Sequence, residues 1–284
     1  MERRILKNCT ISGFADEIDG SVDKQIALLN NLGISWLEFR SGNGIGVADY
    51  TIEQALALRK QFEENNIRVS ALGSPIGKIG IGDDMEVCIK RLAHIAELAE
   101  VFETKYIRMF SFYIPEEKNH AHYRDEVLRR TEQMVKLAAS QNLVLLHENE
   151  KGIYGDVADR CLDLMKNFYG DNYKCTFDFA NFVQCGQDTL EAYEMLSPYI
   201  EYVHVKDALF KTGEVVPGGM GDGNLKEIFE KLDAKGYEGF LSLEPHLTDF
   251  AGLKDLEPDA KKRGRTDGEV AFEQAYRALT KVLG

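Results

Sequence analysis

The chain has 284 residues, a formal net charge of −13 at pH 7 and 44% hydrophobic residues, enough for a sizeable core. The acidic charge argues against nucleic acid and anionic membranes as partners, because the long-range field repels both. The five cysteines include no CxxC pair and the N-terminus lacks a signal-peptide core, which predicts a reduced, cytoplasmic protein. The lack of a long apolar run predicts that no segment spans a membrane.

Strand-like and helix-like segments alternate from one end of the chain to the other. The predicted strands are 9–15, 36–39, 68–72, 106–110, 143–148, 173–178, 200–204 and 239–244. The predicted helices are 16–32, 51–65, 85–102, 123–140, 157–168, 189–196, 225–235 and 267–283.

Strict alternation of eight strands and eight helices without a linker predicts one α/β domain over 1–284, a (β/α)8 TIM barrel with a closed parallel sheet. An open doubly wound sheet is the alternative. The glycines of 42–46 do not have the spacing of a dinucleotide-binding loop, which disfavours it.

Each of the last four predicted strands is an apolar run that stops at a metal-ligand side chain. These side chains are Glu148, Asp178, His204 and Glu244, at intervals of 30, 26 and 40 residues. Such intervals hold a strand, a helix and two loops, so the four side chains should converge at the carboxyl ends of neighbouring strands. One such residue could be a helix cap or a structural histidine, but four in succession predict a bound divalent cation.

Three carboxylates and one imidazole suit Mn²⁺, Co²⁺, Mg²⁺ or Fe²⁺ better than a thiolate-based structural zinc site. A bound ion would polarise a ketone, acidify the adjacent C–H and hold the resulting enediolate. Glu148 and Glu244 lie on different strands, so one is expected to remove the proton and the other to return it to the opposite face of a sugar.

These four residues, together with 203–207 and the glycine-rich loop 217–223, resemble the metal set of the xylose isomerase-like sugar epimerase/isomerase superfamily. Ketose 3-epimerases, hydroxypyruvate isomerase and inosose dehydratase belong to that superfamily. The resemblance covers nearly the whole chain and implies a divalent metal, usually manganese with zinc as another candidate, and proton transfer by two glutamates. It also implies a small-molecule carbohydrate substrate and a homodimer or homotetramer.

The chain departs from the ketose 3-epimerases at three positions. Asn181 stands where those enzymes place a substrate-binding histidine, Tyr154 replaces a second glutamate, and Phe210 replaces an arginine. The metal set is therefore intact, whereas the residues that would contact the sugar differ.

Five further side chains near the predicted strand ends are candidates for substrate binding: Arg40, Arg108, Asn181, Lys206 and His246. For Lys206 the alternative is an ion pair with Asp207. His147 should point to the side opposite Glu148 and be structural, and Glu38 should point into the barrel.

Two loops complete the list of candidates. The glycine-rich loop 214–223 could cradle a phosphate through backbone N–H groups, although a lid or turn suits the acidic chain better. The basic run 261–265 is expected to be a solvated face or a subunit contact.

The sequence favours a metal-dependent isomerase, specifically an epimerase or isomerase of a keto sugar or related polyol. A metal-dependent dehydratase of a keto-polyol, which is a lyase, is the first alternative, and a non-catalytic sugar-binding barrel is the second. An endonuclease-like barrel is disfavoured, since it would need more than the six histidines present and a basic face.

Overall fold

The computed structural model describes residues 5–115, 119–250, 252–253 and 264–284. Within them, eight parallel strands form one sheet: β1 Thr10–Gly13, β2 Trp36–Phe39, β3 Arg68–Ile76, β4 Tyr106–Met109, β5 Val144–Glu148, β6 Tyr173–Asp178, β7 Ile200–Val205 and β8 Phe240–Leu243. The sheet runs in the order β1-β8-β7-β6-β5-β4-β3-β2, and a bridge from Phe14 to Glu38 brings its two edges together. The sheet is therefore a nearly closed TIM barrel, as predicted.

The described α-helices pack around this barrel. They are α1 Val22–Leu32, α2 Ile52–Glu64, α3 Met85–Val101, α4 Arg124–Ser140, α5 Ala158–Phe168, α6 Phe179–Gln184, α7 Thr189–Leu196, α8 Leu225–Ala234 and α9 Asp267–Leu283. Thr51 and Thr266 begin α2 and α9 with capping boxes that satisfy backbone N–H groups of the first turn. Among the described residues, no helix combines the length and the apolar character needed to cross a membrane.

The core lies mainly between the outer face of the barrel and the apolar faces of these helices. Leu29, Leu92, Leu98 and Leu279 are fully buried there, and burying one such side chain contributes about 2 kcal/mol. Val87 does not join this core. The 3–4 spacing of Val87, Leu92, Ile95 and Leu98 in the sequence predicts one apolar face, but Val87 is 63% exposed, because Met85, Cys88 and Leu92 form the buried face of α3.

Two other predictions about elements need correction. The third strand does not end before Gly73 but continues to Ile76, through an irregular register against β4. The short helix α6 was not predicted, and it begins directly after Asp178, whose side chain accepts a hydrogen bond from the backbone N–H of Asn181.

Candidate metal and substrate site

The four predicted ligands lie together at the carboxyl ends of neighbouring strands. Glu148 and Asp178 are the last residues of β5 and β6, His204 lies near the end of β7, and Glu244 follows β8. All four are buried, and one ligand atom from each lies within 4.8 Å of the others. The four apolar runs, each of which stops at one polar side chain, therefore predicted correctly that these side chains lie together.

His204 Nδ1 is central to the cluster. It lies 3.1 Å from Glu148 Oε1, 3.9 Å from Glu244 Oε2 and 4.0 Å from Asp178 Oδ2. The buried atoms His204 Nδ1 and Asp178 Oδ2 make no hydrogen bond. Their contacts are ion pairs, with Lys206 Nζ at 3.1 Å from Asp178 Oδ2 and Glu148 Oε1 at 3.1 Å from His204 Nδ1, and this mixed oxygen and nitrogen set fits a divalent cation.

The electrostatics of the cluster are those of tightly packed opposite charges. Burial raises the pKa of Asp178 to about 7, against the opposing effect of Lys206. Burial also acts to raise the pKa of Glu148, but His204 and Arg108 outweigh it and lower that pKa to about 2. Without an ion, the carboxylates of the cluster are thus balanced by Lys206, Arg108 and His204.

Glu38 holds His204 from the other side. Glu38 Oε2 lies 3.1 Å from His204 Nε2 and accepts a hydrogen bond from Ser242 Oγ at 2.8 Å. With Nε2 directed to this carboxylate, Nδ1 faces the other three predicted ligands, the arrangement of a carboxylate that orients a metal-binding histidine. Glu38 points into the barrel, as the strand alternation predicts.

Lys206 lies inside the cluster. Its Nζ is 2.8 Å from Glu244 Oε2 and 3.1 Å from Asp178 Oδ2, and the side chain is buried. The alternative ion pair with Asp207 is therefore wrong.

Asp207 instead anchors the glycine-rich loop. Its carboxylate accepts hydrogen bonds at 2.9 Å from the backbone N–H groups of Gly219, Gly221 and Gly223. Because these donors are already taken, they do not provide the phosphate cradle that the sequence allowed. The glycines are needed because a Cβ on Gly221 would collide with Asp207 and with the carbonyl oxygen of Ala208.

Two predicted arginines contact the cluster from the strands opposite. Arg108 on β4 places Nη1 3.2 Å from Glu148 Oε2 and 3.8 Å from Glu244 Oε1. Arg40, which follows β2, places Nη1 3.3 Å from Glu244 Oε1 and also pairs with Asp16 and Glu17.

The other two substrate-binding candidates also lie next to the cluster. Asn181 donates its amide to Glu148 Oε1 at 3.2 Å and to the Asn149 carbonyl at 2.9 Å. His246 lies at the rim, with Nε2 3.1 Å from Glu17 Oε1 and 3.6 Å from Glu244 Oε1. Its φ of +44° is an unusual backbone conformation for a residue with a side chain, of the kind often found at functional sites.

The sequence did not reveal three nearby contributors. The Asn149 side chain makes two hydrogen bonds to the backbone of Asp178, one accepted from its N–H and one donated to its carbonyl oxygen, both at 3.0 Å. Asp16 and Glu17 follow β1 and compensate Arg40. The position of Asp16 and Glu17 directly after the first strand could have indicated their role, whereas no sequence pattern indicates the role of Asn149.

Two further predictions concern residues away from the cluster. His147 is fully buried on the outer side of the barrel, stacks on Tyr173 and contacts Ser111 Oγ at 3.0 Å, and burial lowers its pKa to about 3. This is the structural position expected for it. In the basic run, Lys261, Lys262 and Arg263 lie outside the described residues, and Arg265 pairs with Glu273 at 2.7 Å.

Comparison with known proteins agrees with this geometry. The model of the xylose isomerase-like TIM barrel family matches residues 26–275. The chain belongs to this family. The 3-dehydroshikimate dehydratase of Bacillus anthracis is 26% identical over 209 residues, which are 71% of this chain and 74% of that protein.

Solved structures of other proteins show the same fold. A D-tagatose 3-epimerase-like protein superimposes with a TM-score of 0.70 at 17% identity, covering 89% of this chain and 97% of the other. The IolI protein with a bound zinc atom superimposes with a TM-score of 0.75 at 14% identity, covering 96% and 98%. Zinc binding is a property of that neighbour, and manganese in this chain remains a prediction.

Within this family, two departures from the ketose 3-epimerases have a structural explanation. Tyr154 donates its hydroxyl to Asp163 at 2.8 Å, and Arg124 pairs with the same carboxylate. Phe210 is 43% exposed. Tyr154 thus donates a hydrogen bond to the carboxylate of a structural ion pair, and Phe210 supplies no cation where those epimerases have an arginine.

Proposed function

We propose that this barrel is a divalent-metal-dependent epimerase or isomerase that moves a proton at the carbon next to the carbonyl of a keto sugar or related polyol. Glu148, Asp178, His204 and Glu244 would hold the ion. When bound, the ion would polarise the carbonyl and stabilise negative charge on the substrate oxygens.

The observation that carries this proposal is the placement of two glutamates around one histidine. Glu148 on β5 and Glu244 after β8 are separated by β6 and β7 in the sheet, yet both approach His204 Nδ1. Carboxylates from two sides of one centre can serve the two faces of a bound substrate. One glutamate removes the proton and the other returns it.

The predicted substrate-binding side chains have consistent places in this proposal. Lys206 and Arg108 are buried cations within 4 Å of the two glutamates, and they can stabilise negative charge that develops on substrate oxygens. Asn181 orients Glu148, and Arg40 and His246 lie where a substrate would enter. A single domain, a cytoplasmic location and a homodimer or homotetramer complete the proposal.

A dehydratase is the second candidate, favoured by the similarity to 3-dehydroshikimate dehydratase over most of both chains. It would use the same proton removal and then expel a hydroxyl group as water. Asn181 and Tyr154, which break the ketose 3-epimerase pattern, are compatible with it.

The test is solvent deuterium exchange. The Mn²⁺-loaded protein is incubated in D₂O with keto sugars, keto-inositols, 3-dehydroshikimate and sugar phosphates, and deuterium uptake is followed by NMR. We expect uptake at the carbon next to the carbonyl, lost in Glu148→Gln and Glu244→Gln. Glu150→Gln is the matched control, because Glu150 lies two residues after Glu148 and pairs with Lys78 at 2.9 Å.

The product distinguishes the candidates. Unchanged product mass with inverted stereochemistry or a shifted carbonyl supports the epimerase or isomerase, whereas a mass lower by one water supports the dehydratase. Absence of uptake with every compound, in protein shown to contain Mn²⁺, would count against both and favour a non-catalytic barrel.

A further inference from the structure

Inside the barrel, beneath the four predicted metal ligands, lies a cluster of hydroxyl side chains that the proposed chemistry does not use. This interior hydroxyl cluster consists of Ser12 on β1, Ser70 on β3, Tyr202 on β7 and Ser242 on β8, and all four side chains are buried. Burying a hydroxyl is costly unless it is hydrogen-bonded. The partners of these hydroxyls therefore show which parts of the barrel the cluster holds together.

Ser70 is the centre of the interior hydroxyl cluster. Its Oγ lies 3.0 Å from the Leu37 carbonyl oxygen, 2.6 Å from Ser12 Oγ and 2.8 Å from Tyr202 Oη. A carbonyl oxygen can only accept, so Ser70 donates its single proton to Leu37 and accepts from the other two hydroxyls. Because β3 and β7 lie opposite each other in the sheet, the bond to Tyr202 crosses the barrel interior.

A β-bulge directs Ser70 into the barrel. Leu37 on β2 pairs with Val69 on β3. The next residue, Glu38, pairs with Ala71, so Ser70 is the extra residue of β3. Val69 packs in the core between the strands and the helices, whereas Ala71 packs in a separate cluster inside the barrel. The bulge thus lets Ser70 and Ala71 both face inward, which regular strand alternation does not allow.

The bond from Ser70 to the Leu37 carbonyl leads directly to Glu38. That carbonyl belongs to the peptide group that joins Leu37 to Glu38, so the bond fixes the backbone from which the Glu38 side chain extends. Glu38 Oε2 in turn lies 3.1 Å from His204 Nε2 and accepts from Ser242 Oγ at 2.8 Å. Ser70 therefore constrains the carboxylate that orients His204.

We propose that Ser70 is a positioning residue of the metal centre, which acts through Glu38 to keep His204 Nδ1 directed at the ion. This rests on the proposed function and assigns a role in it to the barrel interior. Ser12 and Tyr202 support the role, because they donate to Ser70 Oγ and leave its own proton for the Leu37 carbonyl. Replacing Ser70 by alanine would remove that donor and release the peptide group before Glu38.

The first test is a double-mutant cycle on metal affinity, measured by calorimetric titration of the metal-free protein with Mn²⁺. We expect Ser70→Ala to lower the affinity by roughly 3–10-fold, less than the 10–100-fold typical of a direct partner of a metal ligand. In Glu38→Gln protein, the same change should lower the affinity by less than about twofold further, because its route to His204 is already broken.

The second test uses the metal-free protein, so it does not depend on the proposed function. The buried proton between His204 Nε2 and Glu38 should give a slowly exchanging NMR resonance, identified by its loss in His204→Gln. Ser70→Ala should make the exchange of this proton with solvent roughly tenfold faster. Tyr202→Phe, which keeps the ring and loses only the hydroxyl, is the milder variant if Ser70→Ala disturbs folding, and it should change both readouts in the same direction.

Thr189→Val is the matched control. Thr189 is equally buried, and its hydroxyl donates to the Gly223 carbonyl at 2.9 Å and accepts from Asn224 at 3.0 Å, outside the interior hydroxyl cluster. It should leave the affinity and the proton exchange unchanged. Equal losses of affinity with and without the Glu38 carboxylate, or unchanged proton exchange in both folded variants, would overturn the proposal.

The two proposals fail in different ways. If the unaltered protein does not bind Mn²⁺, the proposed function fails, whereas faster proton exchange in Ser70→Ala would still support the role of Ser70 in holding His204. Normal Mn²⁺ binding and deuterium uptake in Ser70→Ala, with unchanged proton exchange, would support the proposed function and contradict the positioning role.

Discussion

Glu38 shows how a single buried residue can set the chemistry of the histidine beside it. Its carboxylate contacts His204 Nε2 at 3.1 Å on the side away from the other ligands. A negative partner there fixes the ring and makes Nδ1 a stronger ligand. Neither residue is more than 1% exposed, so solvent does not weaken the interaction.

We expect Glu38→Gln to lower affinity for Mn²⁺ by about 10–100-fold, because the amide keeps the shape but not the charge of the carboxylate. Calorimetric titration of the metal-free protein with Mn²⁺ measures the effect. Ser242→Ala, which removes only a neutral partner of the same carboxylate, should cost less. Equal affinities in Glu38→Gln and the unaltered protein would show that Glu38 does not act through His204.

Lys206 should lower the affinity for the metal ion, whereas Glu38 should raise it. Its ammonium group contacts Asp178 Oδ2 and Glu244 Oε2, two of the oxygens expected to bind the metal. Removing this positive charge would favour cation binding, since two unit charges about 4 Å apart repel by a few kcal/mol at an effective dielectric constant near 20. Lys206→Met should therefore bind Mn²⁺ at least tenfold more tightly.

The same change should destabilise the protein without metal, since it leaves buried carboxylates uncompensated. Thermal unfolding with and without Mn²⁺ measures both effects. Lys78→Met is the control, because Lys78 pairs with Glu150 outside the cluster. Weaker Mn²⁺ binding in Lys206→Met would instead indicate that the lysine supports the ligand geometry.

At the scale of elements, the glycine-rich loop 217–223 depends on one carboxylate. Asp207 accepts from three glycine N–H groups of the loop and from Ala208 N–H at 2.9 Å. Hydrogen bonds to a charged acceptor contribute roughly 1.5–3 kcal/mol each. The loop therefore has a fixed conformation despite its glycines.

We expect Asp207→Asn to loosen this loop, because the amide nitrogen cannot accept the hydrogen bonds that the replaced carboxylate oxygen accepts from the backbone N–H groups. Amide hydrogen exchange in 217–223 should become at least tenfold faster, while β7 keeps its protection. Asp222→Asn is the matched control in the same loop, because the Asp222 carboxylate accepts a hydrogen bond from Phe210 N–H at 2.7 Å and, among the described residues, from no glycine of the loop. Unchanged exchange in Asp207→Asn would mean that side-chain packing holds the loop.

The sequence predicted most elements because the apolar periodicity and the residues that end each element indicate the same bounds. Helices α7 and α9 have the predicted bounds, and strand β2 does as well. Helix α6 could not be predicted, since five of its six residues are buried and the segment shows no helical periodicity. The prediction also ended the third strand too early, because Gly73 and Pro75 are usual breakers, whereas here the strand continues through an irregular register.

For the whole molecule, barrel topology explains why four distant residues could be predicted to meet. Parallel neighbouring strands carry their carboxyl ends to one face, so strand-end position alone specifies convergence. Individual partners do not follow from topology. The contacts of Glu38 with His204, Lys206 with Asp178 and Glu244, and Asn149 with Asp178 depend on side-chain directions that sequence spacing does not define.

Because the four ligands come from β5 to β8, a bound ion would link half of the barrel. Ligand binding stabilises the folded state by about 2.7 kcal/mol at a concentration one hundred times Kd. For a chain of this size we expect Tm to rise by roughly 5 °C or more. Scanning calorimetry with Mn²⁺, Mg²⁺, Co²⁺ and Zn²⁺ would rank the metals by this shift.

Asp178→Asn tests whether the stabilisation arises at the predicted site. Asparagine can still cap α6 through its side-chain oxygen, so the helix start is preserved while the charge that binds the ion is lost. Asp188→Asn is the matched control, since Asp188 caps α7 by the same type of hydrogen bond, to Glu191 N–H at 2.9 Å, away from the cluster. The Tm shift should survive in Asp188→Asn and largely disappear in Asp178→Asn. Equal shifts in both variants would locate the stabilising ion elsewhere, because of these two aspartates Asp178 is the one whose carboxylate lies beside His204.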